Sequence, residues 1–333
     1  MTSTPIISIA GRKLGKNNPC FIIAEAGVNH NGNINLALKL VDVAAECGAD
    51  AIKFQTFHAE SLVSGLAKKA EYQLQTTDQE ESQLDMLRRL ELNVKDHEKL
   101  LNYCNQLGII FLSTPFEIKS ANFLETLQIP AFKLSSGEIT NLPFLAQIAA
   151  KGHPVILSTG MSTMDEVADA VQVIKKDGGS PLALLHCTSA YPAEPTEANL
   201  KAMIRMQKKF QVPVGFSDHT KGNEVAFAAV ALGASIIEKH FTLDRSFPGP
   251  DQTSSLEPQE LKKLVLGIRK VESSLGDGIK RLMPGEENTR DIARKSIFAA
   301  TDIAAGVVLT NDMLETLRPG TGIYPSQIPK IIG

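Results

Sequence analysis

Short apolar segments rich in Ile, Val and Phe alternate with longer segments of helical periodicity from about Phe21 to about Gly276. Such alternation is typical of a parallel β-sheet whose strands are joined by helices. The predicted strands are FIIAEAG from Phe21, AIKFQTF from Ala51, IIFLSTP from Ile109, AFKLSS from Ala131, PVILSTG from Pro154, LALLHCT from Leu182, VPVGFSD from Val212 and SIIEKHFT from Ser235. Eight β–α units over roughly 250 residues predict an α/β protein with a (β/α)8 TIM barrel. A doubly wound open sheet is the alternative, but its usual G-x-G-x-x-G does not follow the first strand.

Two segments depart from this pattern. Between the second and third predicted strands, about His58 to Leu92 form an insertion that we expect to shape a substrate entrance. After Gly276 a polar linker leads into short β-like runs separated by turn residues, which predict a small β-rich module. The predicted organisation is a barrel with an N-terminal hairpin in residues 1–276, a linker in 277–291 and the module in 292–333. So small a module requires support from the barrel or from a second subunit.

The overall composition favours an ordinary globular protein, with 43% hydrophobic and 21% charged residues. A net charge of -3 and a pI near 6.2 argue against nucleic acid or an anionic membrane as the main partner. The four cysteines are widely spaced and are interpreted as reduced thiols. The N-terminus has no signal-peptide pattern, and no apolar segment is long enough to span a membrane, so we expect a cytoplasmic protein with a small-molecule site.

Every predicted strand ends at a polar residue, on the face of a TIM barrel where active sites lie. These residues are Glu25, Lys53 with Gln55, Ser113 with Thr114, Lys133 with Ser135 and Ser136, Ser158 with Thr159, His186 with Thr188 and Ser189, Ser217 with Asp218 and His219, and Glu238 with His240. One such residue is more often a capping group than a catalyst. Burial of eight such groups together would cost free energy of folding unless they were paired with each other or neutralised by a ligand. The set therefore predicts a binding site.

The residue types indicate the charge of the expected ligand. Lys53 and Lys133 supply cations, serine hydroxyls supply donors, and Gly137 and Gly160 allow the backbone to approach a ligand. This combination suits a phosphate, a carboxylate or both, although either lysine could instead belong to a structural ion pair. Carboxyl groups nearby could act as general acid and base or hold substrate hydroxyls.

Two histidines follow adjacent predicted strands and can reach a common point. His219 comes just after the seventh strand and His240 lies near the end of the eighth. Two imidazoles completed by water and substrate oxygens suit Mn²⁺, Co²⁺, Zn²⁺ or, less well, Mg²⁺, and leave room for Lewis-acid activation of a carbonyl. Two structural histidines are the alternative.

Nine segments lie in order along nearly the whole chain: AEAGVNHNG, IKFQTF, FLSTPF, KLSSGEITN, ILSTGMST, LLHCTSAYP, GFSDHT, EKHFTLDR and GPDQTSSLEP. Together they resemble the sialic acid synthase family. The resemblance implies a TIM barrel with a C-terminal antifreeze-like (SAF) domain. It also implies the condensation of phosphoenolpyruvate with an N-acylated mannosamine-type sugar to a nonulosonic acid, with release of phosphate.

The resemblance also implies roles for individual residues. The implied carboxylate contacts of phosphoenolpyruvate are Lys53 and Thr114, and the implied phosphate site is Lys133, Ser136, Ser158, Ser189 and Ser217. The implied ligands of a divalent metal, with Mn²⁺ expected before Mg²⁺ or Co²⁺, are His219 and His240. The implied catalytic residues are Glu25 and Glu138, and further catalytic or sugar-contacting positions are Tyr191 and Asp251. Arg318 corresponds to an arginine that the partner subunit of a domain-swapped homodimer delivers to the acyl group of the sugar.

Two departures from the family pattern affect these expectations. Ser189 stands where some N-acetylneuraminate synthases have Asn, which predicts an altered phosphate contact. The tail stops at KIIG, earlier than in many relatives, so the module is expected to be shortened, which affects the delivery of Arg318.

The expected activity is that of an N-acetylneuraminate synthase using N-acetylmannosamine. Its close alternative uses 2,4-diacetamido-2,4,6-trideoxymannose to make a legionaminate. Two other classes are a metal-dependent aldolase using pyruvate and a noncatalytic carbohydrate-binding protein. The predicted phosphate pocket around Lys133 argues against the aldolase, and the pairs of His and Glu argue against the noncatalytic protein.

Overall fold

The computed structural model describes residues 6–78, 80–176 and 179–333, and the chain divides after Leu275 into two compact units. The first unit begins with an antiparallel hairpin of β1 (Ile7–Ile9) and β2 (Arg12–Leu14). The apolar side chains of this hairpin pack against Phe21, Ile23 and Leu112 of the barrel interior. The hairpin therefore covers the amino-terminal end of the barrel strands.

Eight parallel strands follow in the first unit. They are β3 (Phe21–Gly27), β4 (Ala51–Thr56), β5 (Ile110–Pro115), β6 (Phe132–Leu134), β7 (Val155–Ser158), β8 (Leu182–Cys187), β9 (Val214–Asp218) and β10 (Ile236–His240). Their order is β5-β4-β3-β10-β9-β8-β7-β6, and the two end strands, β5 and β6, lie against each other. The strands therefore form a nearly closed barrel in chain order, which confirms the predicted TIM barrel and excludes the doubly wound sheet.

Helices follow or separate the barrel strands. Those around the barrel are α1 (Ile34–Cys47), α5 (Val94–Leu107), α6 (Ile118–Thr126), α7 (Leu142–Ala149), α8 (Met164–Lys175), α9 (Lys201–Phe210), α10 (Glu224–Ala231) and α11 (Pro258–Leu275). Local sequence explains several of their ends. The side chain of Asn33 caps the start of α1, and Gly48 ends it in the left-handed conformation. Asn93 and Asp96 form a capping box at α5, which Gly108 ends in the same way.

The described part of the insertion after β4, which leaves out residue 79, contains three short helices. They are α2 (Ala59–Leu62), α3 (Glu71–Thr76) and α4 (Gln83–Leu90). Met86 and Leu90 on α4 pack with Val28 and Phe57 in an apolar cluster beside the barrel. Burial of this face attaches α4 to the loops that follow β3 and β4.

The strands bury both of their faces. Outward-facing Phe54, Phe111, Phe132 and Phe216 are fully buried in the main hydrophobic core with side chains of the helices. Inward-facing residues are apolar at the amino-terminal ends of the strands. Since successive side chains of a strand alternate between its faces, inward positions nearer the carboxyl-terminal ends remain available for polar chemistry.

An ion-pair network joins the amino-terminal ends of the barrel strands to α11. Asp50 Oδ2 accepts hydrogen bonds from Ile22 N at 2.9 Å and from Arg269 Nη2 at 2.8 Å. Arg269 Nη1 also donates to Cys20 O at 2.8 Å. This network lies at the end of the barrel opposite the polar strand ends.

The second unit, Gly276–Gly333, is small and contains one two-stranded antiparallel sheet. Its elements are α12 (Glu287–Ala293), β11 (Ser296–Ala299), β12 (Leu314–Leu317) and α13 (Ile328–Ile331), and its two strands pair antiparallel. Ser296 Oγ accepts from Gly322 N at 2.8 Å and donates to Pro319 O at 2.7 Å, which ties the chain after β12 back to β11. In the described part of both units, no helix is long and apolar enough to cross a membrane.

Candidate active site

A cavity of about 310 Å³ opens among the carboxyl-terminal ends of the barrel strands. Eleven of the predicted site residues line it: Glu25, Lys53, Thr114, Lys133, Ser136, Ser158, Ser189, Tyr191, Ser217, His219 and His240. Most stand at inward positions at or just beyond strand ends, where strand alternation directs them into the cavity. Ala70, from the insertion, also lines the cavity, in agreement with the expectation that this segment shapes its entrance.

Two buried lysines and two buried carboxylates form the floor of this cavity. Lys53 Nζ lies 2.6 Å from Glu25 Oε2 and 3.8 Å from Glu238 Oε2, and Lys133 Nζ lies 3.4 Å from Glu238 Oε1. Lys53 also donates to Thr114 Oγ1 at 3.1 Å. The positive charge of each ammonium group is thus balanced by a carboxylate of the protein. An anionic ligand could take the place of this carboxylate beside the ammonium group.

The two carboxyl groups differ in their protonation. Burial raises the pKa of Glu25 to about 7, although the Lys53 ammonium opposes the shift. Burial alone would also raise the pKa of Glu238, but Lys133 and Lys53 together hold it below its usual range. Glu25 can therefore exchange a proton near neutral pH, while Glu238 stays ionised as the counter-charge of the lysines.

The sequence identifies Glu238 only as a polar residue near a strand end and indicates no specific role for it. In the structure it accepts a hydrogen bond from Ser217 Oγ at 3.1 Å and pairs with both lysines. Its position two residues before His240 on a strand was the available indication, because residues i and i+2 share a face. Gln55 and Cys187 also line the cavity without having been assigned a role there.

Serine hydroxyls surround Lys133. Its ammonium group donates to Ser158 Oγ at 2.8 Å, and Ser136 Oγ accepts from Gly160 N at 2.9 Å. A Cβ atom at Gly160 would overlap Ser189 Oγ and come within 2.9 Å of Ser136 Oγ, so a larger residue here would displace these two hydroxyls. A cation surrounded by hydroxyl and amide donors suits a phosphate group.

The side chains of His219 and His240 lie next to each other, with ring centroids 5.6 Å apart. His219 Nδ1 donates to Thr188 O at 2.7 Å, which leaves the lone pair on Nε2, 3.1 Å from the Tyr191 hydroxyl. His240 Nδ1 is buried, has no hydrogen-bond partner among the described residues, and lies 4.0 Å from Asp251 Oδ2.

These imidazoles have the properties of metal ligands. Burial lowers the pKa of His219 to about 4 and that of His240 well below its usual value, so both rings are neutral and have a lone pair available at physiological pH. Among the described residues, no group of three or more His, Cys, Asp and Glu side chains is arranged to hold a metal. A divalent cation at this position would therefore need oxygen ligands from water or substrate, as the sequence analysis expected.

Three predicted site residues lie outside the cavity lining. Asp251 is buried beside His240, and burial raises its pKa to about 6. Glu138 is half-buried, and its Oε2 accepts from Asn141 Nδ2 at 2.8 Å. Arg318 is exposed and belongs to the second unit. Its delivery by a partner subunit stays a prediction.

The fold is a (β/α)8 barrel, and its cavity, lined by two lysines, two glutamates and two histidines, opens at the carboxyl-terminal face where barrel enzymes carry their active sites. The chain belongs to the NeuB family, whose model matches residues 40–280, and it has a SAF domain matched at residues 294–333. These two matches confirm the family resemblance and the prediction of a barrel followed by a SAF domain. The NeuB family comprises synthases that condense phosphoenolpyruvate with a sugar, so the chain is an enzyme of this class.

Individual relatives are similar over most of their length. The chain is 49% identical to the N,N'-diacetyllegionaminic acid synthase of Campylobacter jejuni over 94% of both chains. It is 48% identical to that of Legionella pneumophila, over 96% of this chain and 91% of the relative. Among solved structures, the sialic acid synthetase of Leptospira borgpetersenii in complex with citrate is 38% identical, with a TM-score of 0.76 over 86% of this chain and 95% of that one.

Proposed function

We propose that the cavity binds phosphoenolpyruvate beside an open-chain N-acylated mannosamine-type sugar and joins them into a nonulosonic acid. The observation that supports this most strongly is the buried cluster of Lys53, Lys133, Glu25 and Glu238 with its serine hydroxyls. A substrate with one carboxylate and one phosphate matches two separated ammonium groups better than a singly charged ligand does. A pyruvate-using aldolase would have no use for the donors around Lys133.

The proposed orientation follows from the donors near each lysine. The carboxylate of phosphoenolpyruvate lies at Lys53 and Thr114, whose side chains are joined by a hydrogen bond. The phosphate lies at Lys133, and the hydroxyls that complete its site are Ser136, Ser158, Ser189 and Ser217.

In the proposed reaction, C3 of phosphoenolpyruvate forms a bond to the aldehyde carbon of the sugar, and the aldehyde oxygen takes up a proton. Water then adds to C2 and loses a proton, which gives a hemiketal phosphate. Phosphate leaves with the electrons of the C2–O bond as the oxygen of the new hydroxyl becomes the C2 carbonyl, and the second proton of the water passes from this hydroxyl to the departing phosphate. Glu25 is the proposed group that gives and takes these protons, because its pKa of about 7 allows both states. The residues proposed to hold a divalent cation, with Mn²⁺ first, are His219 and His240. Such a cation would supply Lewis-acid polarisation of the sugar carbonyl.

Glu25→Gln tests the assignment of the proton-transfer residue. We expect kcat to fall by roughly 10²- to 10⁴-fold while KM for phosphoenolpyruvate changes little, because Gln keeps the shape of the side chain but cannot transfer the proton. Steady-state phosphate release measures both constants. Glu138→Gln is the matched comparison and is expected to have the smaller effect, since Glu138 lies outside the cavity lining. A larger loss for Glu138→Gln would reverse the assignment.

The proposed acceptor is 2,4-diacetamido-2,4,6-trideoxymannose, so that the product is N,N'-diacetyllegionaminate. The identities of 49% and 48% to two diacetyllegionaminic acid synthases support it. The 38% identity to a sialic acid synthetase keeps N-acetylmannosamine as the second candidate. The two sugars differ at C4 and C6, so a site that hydrogen-bonds the second acetamido group discriminates strongly between them.

Parallel assays with the two sugars, phosphoenolpyruvate and Mn²⁺ decide the acceptor. We expect kcat/KM to be at least about tenfold higher for the diacetamido sugar, because a site that binds its second acetamido group gains an interaction that N-acetylmannosamine cannot make. Equal or higher kcat/KM for N-acetylmannosamine would establish N-acetylneuraminate as the product instead.

The proposed working unit is a domain-swapped homodimer in the cytoplasm, in which Arg318 of one chain reaches the acceptor bound to the other. The size of the second unit and its exposed apolar side chains, among them Phe298, Val308 and Ile323, support a role in covering another surface.

A further inference from the structure

A buried ion pair lies on the outer face of the barrel, directly behind the two histidines. Lys239 Nζ donates to Asp218 Oδ2 at 2.7 Å, and their side chains are only 3% and 0% exposed. The two residues are register partners on β9 and β10. Their inward-facing neighbours Ser217 and Glu238 are likewise register partners and hydrogen-bond each other on the cavity side. The same two strands therefore carry one polar pair on each face.

This pair also fixes the turn that holds His219. Asp218 Oδ1 accepts from Thr220 N at 2.9 Å and from Thr220 Oγ1 at 2.7 Å, and Lys239 Nζ donates to Thr220 O at 2.7 Å. His219 thus lies between two anchored residues, and its Nδ1 is held separately by Thr188 O. On the next strand, Lys239 immediately precedes His240. One ion pair consequently joins the backbone segments of both histidines.

Stability alone does not explain charged residues at this position. A buried ion pair is commonly no more stabilising than apolar side chains of the same volume, because desolvation offsets the attraction. The other outward-facing strand positions are largely apolar, as Phe216 and Ile237 show. The pair contributes directional hydrogen bonds to the backbone and side chain of Thr220, which apolar residues could not form.

We propose that Asp218 and Lys239 are positioning residues that set the angle and separation of the His219 and His240 rings, and so the affinity of this site for a divalent cation. The inference rests on the proposed binding of a cation by the two histidines. Neither residue contacts the cavity, so the pair acts only through the histidines. Residues that orient metal ligands typically change metal affinity by about 10- to 100-fold when they are replaced.

The experiment uses the full chain, freed of metal, and follows Mn²⁺ binding by calorimetric titration and Co²⁺ binding by visible absorption. The main variant is Asp218→Asn with Lys239→Met, which removes both charges at nearly constant volume and leaves no buried charge unpaired. We expect Mn²⁺ affinity to fall by about 10- to 100-fold and the Co²⁺ spectrum to change, because the ligand geometry changes. Lys239→Arg, which keeps the charge, is expected to retain more of the wild-type affinity than Lys239→Met.

A matched control separates positioning from stability. Asp50→Asn with Arg269→Met removes the ion pair at the opposite end of the barrel. It should lower the melting temperature but leave Mn²⁺ affinity and the Co²⁺ spectrum unchanged. If the Asp218/Lys239 double variant does not fold, Asp218→Asn alone is measured, with about tenfold weaker binding expected.

Two results would overturn the inference, and they are distinguishable. Wild-type affinity and spectrum in the folded Asp218 and Lys239 variants would show that the pair does not position the histidines, while the proposed cation site would stand. Absence of Mn²⁺ and Co²⁺ binding by the wild-type chain would overturn the cation site and the inference together.

Discussion

Replacing either cavity histidine, as His219→Ala or His240→Ala, is expected to lower kcat/KM for the condensation by about 10³-fold or more, since Lewis-acid activation is worth several kcal/mol of transition-state stabilisation. The two rings are adjacent, buried and neutral, so each contributes a lone pair that alanine cannot replace. Phosphate release at saturating Mn²⁺ measures the loss, and chelation of the wild-type chain should reproduce it.

His58→Ala is the control for these two variants. His58 is an exposed histidine outside the cavity, with 61% of its side chain accessible, and its replacement should leave kcat/KM unchanged. Circular dichroism of each variant establishes that it is folded. Full activity of folded His219→Ala, or of wild-type protein freed of metal, would refute the proposed role of the histidines.

Lys133→Met is expected to have two separable effects. It removes the cation proposed to bind phosphate. This loss should reduce kcat/KM by about 10²-fold, because a hydrogen bond to a charged group contributes about 3 kcal/mol. It also removes the closer of the two lysine partners of buried Glu238, which should lower the free energy of unfolding by about 3 kcal/mol. Steady-state kinetics and denaturant unfolding measure the two effects separately.

The double variant Lys133→Met with Glu238→Gln distinguishes the two roles of Lys133. Gln can still accept the hydrogen bond from Ser217 Oγ but carries no charge, so stability should largely return while kcat/KM stays low. Recovery of activity together with stability would mean that Lys133 serves only to compensate Glu238.

Much of the barrel could be predicted because each strand is a short, mainly apolar segment that lies between turn residues or helical segments. The first run, Phe21–Gly27, coincides with β3. The ends of other strands differ from those of the predicted segments, because a strand ends where it stops pairing with its neighbours. The predicted segment AFKLSS is strand only from Phe132 to Leu134, since Ser135 caps a short 3₁₀ turn over Ser136–Glu138.

Several residues that line the cavity could also be predicted from the strand pattern. The contacts among the buried charged residues in and behind the cavity could not. Strand alternation directs Lys53, Lys133 and Ser217 inward once a barrel is assumed. The pairing of Glu238 with both lysines depends on how β10 lies against the other strands, which a single sequence does not contain. Asp218 and Lys239 were harder still, because an outward strand position beneath helices ordinarily predicts an apolar side chain.

The most direct test of the proposed chemistry is phosphate release from phosphoenolpyruvate, measured with and without the diacetamido sugar or N-acetylmannosamine, with mass analysis of the product. We expect no phosphate from phosphoenolpyruvate alone, and one phosphate per molecule of nonulosonic acid when a sugar acceptor is added. Formation of the same product from pyruvate without phosphate, or binding of both substrates without phosphate release, would contradict it.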